Sequence, residues 1–118
     1  MSVTPSQFDV LSKLLDAAQL QHRVIGQNIA NVNTPGYRTR AVSFEELLTE
    51  TLANSADAGA KLEPRVQEVG GLRVRTDGNN VDIDREMGQL SKNSLFYQTY
   101  SQLLASKLSL MRSAITGQ

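Results

Sequence analysis

The stretch that decides the fold is "NIANVNTPGYRTR", Asn28 to Arg40. It begins as the tail of an apolar-periodic helix and ends in a Pro-Gly turn. Thr34 precedes Pro35, and the proline ring drives the residue before it out of the helical region. Pro35 and Gly36 suit the two central positions of a type II turn, where glycine supplies the positive φ. The helix must therefore stop by Asn33. Asn28 and Asn31 are three apart and share a helix face. Their amides can satisfy the carbonyls left open by the last turn, or bond to a neighbouring chain. Tyr37 then plants a ring with a polar tip at a fixed place beyond the turn. An ordinary helix end accounts for Pro-Gly, but less well for Asn28, Asn31, Asn33 and Tyr37 together.

Upstream, the helix is announced by Thr4 as N-cap, Pro5 in the first turn and Gln7 as the reciprocal capping partner. Val3 and Phe8 form a candidate hydrophobic staple. From there an apolar stripe runs Phe8, Leu11, Leu15, Ala18, His22, Ile25, Ile29, Val32. Alternation of three and four is coiled-coil periodicity. A helix over residues 5–33 is roughly 40 Å long at 1.5 Å per residue.

Downstream, Asp82 is a candidate N-cap, with Asp84 and Glu86 favourable in the first turn. The second stripe reads Ile83, Met87, Leu90, Ser94, Tyr97, Ser101, Leu104, Leu108, Met111, Ile115. A helix over 82–116 is roughly 50 Å long. Beside it lies another stripe of Phe96, Tyr100, Leu103, Leu110 and Ala114. This is either a wide core face of a small bundle or a surface between subunits. The lack of a third long helical pattern favours the surface.

Residues 34–81 hold the turn, a short helix and irregular chain. Ser43 and Glu46 make a capping box opening onto Phe44, Leu47, Leu48 and Leu52. "ANSADAGAKLEP" reads as a loop. "RVQEVGGLRVR" fits a small hairpin turning at Gly70-Gly71. The expected fold is mainly α. The long N- and C-terminal helices pair as an antiparallel coiled coil in one elongated module over 1–118, with a short, partly irregular middle.

Composition excludes several functions. Of 118 residues, 12 are Lys or Arg and 12 are Asp or Glu, so the net charge is zero. Nucleic-acid binding needs a basic surplus, and so does electrostatic attachment to anionic lipid. The absence of cysteine excludes disulfides, thiolate metal sites and cysteine nucleophiles. No apolar run reaches the ~18 residues of a candidate membrane span. "MSVTPSQFDV" lacks a basic region followed by an apolar one, so a cleaved secretory signal is not expected. Aromatic content of 5% suits helices packed along seams rather than a large globular core.

Chemistry is not legible. His22 is the only histidine and falls in the stripe, where a packing role outweighs ligation or catalysis. "DGNNVDID", Asp77 to Asp84, departs from a calcium loop. Asp82 stands where that loop needs Gly, and Gly88 where it needs Glu. A turn followed by an N-cap accounts for it. No phosphate loop, nucleophile elbow or zinc motif is present. The reading is a non-enzymatic chain with no cofactor, metal or small-molecule substrate.

"NIANVNTPGY" resembles the motif near the N-terminus of flagellar axial proteins, those of rod and hook. "DGNNVDIDREM", then "NSLFYQ" and a Leu/Met/Ser helix, is similar to the C-terminal half of a proximal rod protein. The resemblance covers roughly residues 5–50 and 76–117; the middle matches in little beyond its polar character. The motif falls here on Asn28, Ile29, Ala30, Asn31, Asn33, Thr34, Pro35, Gly36 and Tyr37. The resemblance implies a structural subunit of the basal-body rod that polymerises through its terminal helices. It implies other rod proteins and its own copies as partners, with the membrane ring adaptor and the flagellar type III export gate. The rod crosses the periplasm, and its subunits travel through the export apparatus with an uncleaved N-terminus. Similar substrates carry a Phe-x-x-x-apolar segment read by the gate, matched here by Phe44 and Leu48, which on pattern alone are the buried face of a short helix. The competing expectations are a cytoplasmic helical adaptor or export chaperone, and the sister proximal rod protein.

Overall fold

The computed structural model describes residues 5–43 and 64–117, with side chains from Phe8 onward. The expected capping residues Thr4 and Glu46 and the side chain of Gln7 lie outside this description, as do Val3, Phe44, Leu47, Leu48 and Leu52. The elements run α1 (Pro5–Ala30), β1 (Arg40–Ser43), β2 (Arg65–Glu68) and α2 (Ile83–Thr116). α1 and α2 are antiparallel. Asn28 meets Glu86, Ala18 meets Asn93, and Leu11 and Leu14 pack near Tyr100 and Leu104.

α1 ends at Ala30, and the chain winds on through Val32 in a tighter turn, with Val32 N–H donating to Ile29 O at 3.2 Å. Thr34 to Tyr37 then forms the expected turn: Tyr37 N–H donates to Thr34 O at 3.2 Å, and Gly36 has φ 76°. α2 opens on Asp82, whose carboxylate accepts from the N–H groups of Asp84 and Arg85 at 3.1 and 3.2 Å.

The hairpin differs from the sequence expectation in its pairing. β2 does not fold back across Gly70-Gly71. It pairs antiparallel with β1, with Arg40 opposite Glu68 and Ser43 opposite Arg65. The turn at Pro35-Gly36 delivers β1 beside α1, and Val69 N–H extends the ladder to Thr39 O at 2.9 Å. The segment after Gly71 is drawn away instead: Arg75 N–H donates to Asn79 O at 2.8 Å, and its guanidinium to Val81 O at 2.7 Å and to Val32 O.

The core is small and lopsided. Among the described residues, Leu11, Leu14, Ala17, Ala18, Val24, Ile25 and Val81 are the buried apolar ones. All but Val81 belong to α1. The residues α2 buries are Glu86 and Asn93. Leu90, Phe96, Tyr100 and Leu104 are half-buried, and many of its other large apolar side chains stay exposed, from Ile83 and Met87 through Leu95 and Leu103 to Leu108, Leu110 and Ile115. The molecule measures 64 × 28 × 14 Å. None of the described helices is long and apolar enough to cross a membrane.

Both helices are rotated from the stripes that the apolar pattern picks out. On α1 the inward positions are Leu11, Leu14, Ala18, Gln21, Ile25 and Asn28; on α2 they are Glu86, Leu90, Asn93, Tyr100 and Leu104, with the exposed Tyr97 at the edge of the seam, where Gln19 reaches its hydroxyl. One column of each stripe is shared: Leu11, Ala18 and Ile25 on α1, and Leu90 and Leu104 on α2. The other column mixes apolar and polar residues, Leu14, Gln21 and Asn28 on α1 and Glu86, Asn93 and Tyr100 on α2. His22 falls in the apolar stripe but is exposed, because Gln21 takes the inward place.

Candidate functional site

The motif and the loop before α2 close on each other where α1 meets the start of α2. Asn28 is 0% exposed and uses its full hydrogen-bonding capacity. Its Nδ2 donates to Arg40 O at 2.7 Å and to Glu86 Oε2 at 2.9 Å. Its Oδ1 accepts from Tyr37 O–H at 2.9 Å and Arg40 N–H at 3.1 Å. One side chain thus joins the first helix, the turn, the strand and the last helix. Glu86 is 1% exposed, and its Oε1 accepts from Arg85 at 3.0 Å. Burial pushes the Tyr37 phenol above its ordinary 10.0; Arg40 opposes the rise and Glu86 adds to it. Tyr37 therefore remains a donor to Asn28 at neutral pH. Whatever that bond contributes is present below pH 10 and is lost as pH climbs past the raised value.

A second cluster seals the end of α1. Asn79, also fully buried, donates from Nδ2 to Asn31 O and Thr34 O, each at 2.8 Å. Its Oδ1 accepts from Val81 N–H at 2.7 Å. Asn31 Nδ2 donates to Gln27 O at 2.7 Å, and Thr34 O–H donates to Asn31 Oδ1 at 3.0 Å. Asn80 Oδ1 accepts from Thr39 N–H at 2.6 Å. Gln27 O, Asn28 O and Ile29 O at the helix end are paired locally by Asn31 and Val32, while Asn31 O, Val32 O and Thr34 O just beyond it accept from Asn79 and Arg75, over forty positions away. The turns themselves nest: Gly36 N–H donates to Asp77 O at 2.9 Å. A Cβ on Gly78, at φ 86°, would stand 3.3 Å from Gly36 Cα.

The remaining motif residues are less enclosed. Ile29 is half-buried; Ala30, Asn33, Pro35 and Gly36 are exposed. Of the seam residues expected from sequence, Leu11 and Ile25 are buried, and Phe8, Leu15, Leu90 and Leu104 half-buried. Ile83, Met87, Tyr97, Leu108, Met111 and Ile115 are exposed in the single chain. In the stripe expected between subunits, Phe96 and Tyr100 are half-buried and stacked, their centroids 6.0 Å apart. Leu103 and Leu110 are exposed.

Apolar periodicity passes over Glu86 and Asn93, which sit one heptad apart in the seam. Their signal is a polar residue at a repeating inward position, a known device for fixing helix register. Asn93 is 3% exposed; Nδ2 donates to Ala18 O at 2.8 Å, while Oδ1 has no partner. Flipping the amide would set two oxygens against each other, so Ala18 fixes its orientation.

The arrangement ties α1, the turn, β1 and α2 to one another. Among the described residues, no group of three His, Cys, Asp or Glu side chains could hold a metal ion. The family described as "Flagella basal body rod protein" matches residues 9–38, spanning most of α1 and the motif turn. FlgB of Bacillus subtilis is 30% identical, over 99% of this chain and 98% of that protein. FlgB of Borrelia hermsii is 31% identical over 89% and 92%, and that of Salmonella typhimurium 33% over 82% and 83%. With identity of this level sustained from end to end of both sequences, the chain belongs to the FlgB family of flagellar basal body rod proteins.

Proposed function

We propose that this chain is a proximal rod subunit that completes its fold by packing α2 against neighbouring subunits. In this role it links the membrane ring and export gate to the distal rod and carries motor torque. The observation behind this reading is the imbalance of the helix pair: α1 is covered, while α2 exposes apolar side chains along its length. Contiguous exposure of this kind marks an interaction surface. Burying roughly 200–300 Å² of it contributes about 5–7 kcal/mol per subunit before ordering costs. Folding and assembly are then linked, which suits a subunit carried unfolded through the type III apparatus. Phe44 and Leu48 serve as the gate-recognition segment. The Asn28 and Asn79 clusters set the angle and register at which the helices meet, and so the geometry each subunit presents. The partners are other rod proteins, copies of this chain and the ring adaptor.

Fractionation tests this reading. A tagged chain should co-purify with hook-basal bodies, whereas an adaptor or chaperone would stay in the cytoplasmic fraction. Changing Pro35 and Gly36 together to alanine lets α1 run on and misplaces Tyr37. That variant should still be exported while incorporation and swimming fall steeply. Unchanged rod assembly by the variant would remove the turn from the mechanism.

A further inference from the structure

Asp77-Gly78 is the only place in the sequence where Asp or Asn precedes Gly. Such a pair carries its own chemistry. The Asp carboxyl can reach the next backbone nitrogen, and glycine has no side chain to shield that nitrogen. Attack by Gly78 N on Asp77 Cγ forms a five-membered succinimide; the amide proton and the hydroxyl of the carboxyl leave as water. A second water then reopens the ring. Addition at the side-chain carbonyl restores Asp77. Addition at the former main-chain carbonyl gives isoaspartate, in which the chain runs through Cβ and Cγ and the α-carboxylate hangs free. No other reactant enters, and the mass does not change.

The fold both requires this pair and guards it. Gly78 sits at φ 86°, and an added Cβ would stand 3.3 Å from Gly36 Cα, so a shielding side chain has no place there. Ring closure needs the Gly78 nitrogen free and the carboxyl turned onto it. In the structure Gly78 N–H donates to Arg75 O at 2.9 Å, and Asp77 Oδ1 accepts from Asn79 N–H at 3.0 Å. Asp77 O accepts from Gly36 N–H at 2.9 Å, which fixes the peptide plane between them. Asp77 is exposed, so these bonds guard it and burial does not.

We propose that Asp77-Gly78 is a site of spontaneous isoaspartate formation gated by the nesting of the two turns: a closed chain is protected, while an open chain converts and can no longer close. The second half follows from connectivity. Isoaspartate inserts one more atom into the main chain ahead of Asn79, and it moves the oxygen that Gly36 binds off the main chain onto a free carboxylate. One extra bond is about 1.5 Å. Hydrogen bonds tolerate only about 2.7–3.2 Å between heavy atoms. Asn79 therefore cannot hold Asn31 O, Thr34 O and Val81 N–H together after conversion.

The test uses the full chain by itself. It is warmed at neutral pH in buffer and in guanidinium chloride and sampled over weeks. Trypsin cleaves after Arg75 and Arg85, and electron-transfer fragmentation of the released peptide locates isoaspartate at residue 77. Amide exchange at Val81, whose N–H donates to Asn79 Oδ1, reports in parallel whether the junction is closed. Conversion in denaturant should be faster than in buffer by about tenfold or more, because only the open state reacts. Asn79→Ala leaves the Asp-Gly pair untouched, and its rate in buffer should move most of the way to the denatured rate. Chain aged in denaturant and returned to buffer should recover Val81 protection in its unconverted fraction alone. Equal rates in buffer and denaturant would overturn the proposal, as would no isoaspartate at residue 77 in denaturant. So would free Val81 exchange in fresh chain, normal Val81 protection in converted chain, or an Asn79→Ala rate no higher than the parent's.

Discussion

Asn28→Ala should all but abolish the paired-helix fold. The substitution removes two donors and one doubly used acceptor from a site with no solvent access. Glu86 keeps its bond to Arg85 but loses its bond to Asn28 across the seam, while Arg40 N–H and Tyr37 O–H lose their acceptor. Leaving one carboxylate oxygen and two donors unpaired in this enclosed site costs about 3–5 kcal/mol, the sum of several single-group penalties. A chain of this size has roughly 5–15 kcal/mol to lose, and a core carried almost wholly by α1 puts this one at the low end. Urea unfolding followed by circular dichroism reads the loss directly. The control is Asn28→Leu combined with Glu86→Leu, which should recover only the part due to Glu86, since Tyr37 O–H and Arg40 N–H still lack their acceptor. The same pair should not recover rod incorporation, because register is no longer specified. A single alanine variant within about 0.5 kcal/mol of the parent, the range of ordinary surface changes, would show that the cluster is ornamental.

Asn79→Ala is the second large effect. It withdraws the donors from Asn31 O and Thr34 O and the acceptor from Val81 N–H, opening the junction where α1 ends and α2 is about to start. Leaving these groups unpaired costs about 2–4 kcal/mol, several single-group penalties partly relieved by water. The expected signature is local as well as global. Amide exchange at Val81 should accelerate far more than exchange in the middle of α1. Asn79→Asp should be no better, since it keeps the acceptor but turns the donor nitrogen into a second oxygen facing two carbonyls. Equal acceleration along the whole of α1 would mean that Asn79 acts on stability alone and not on the junction.

The large elements were legible because their signals are local. Thr34-Pro35-Gly36 fixes the turn through steric rules that need no tertiary partner, and Asp82 caps α2 from two and three residues away. The phase of the seam was not legible. Leu15, Ile29 and Met87 look like better seam residues than Gln21, Asn28 and Glu86 until the partners of the polar groups are known. Those partners are far off in sequence: Asn28 and Glu86 are 58 positions apart, Ala18 and Asn93 75. Asn79 likewise reads as a turn residue, and only the fold shows that it closes the end of α1. β2 shows the same limit, since its strand character is local but its choice of Arg40–Ser43 over the residues after Gly71 is made by distant bonds.

The central claim is that α2 finishes its burial only in the assembly. Amide hydrogen exchange along α2, compared between the dilute free chain and isolated basal bodies, tests it most directly. The account expects fast exchange from about Leu103 to Thr116 in the free chain, with strong protection of the same amides in the rod. Full protection of that segment in dilute monomer, unchanged on assembly, would contradict it.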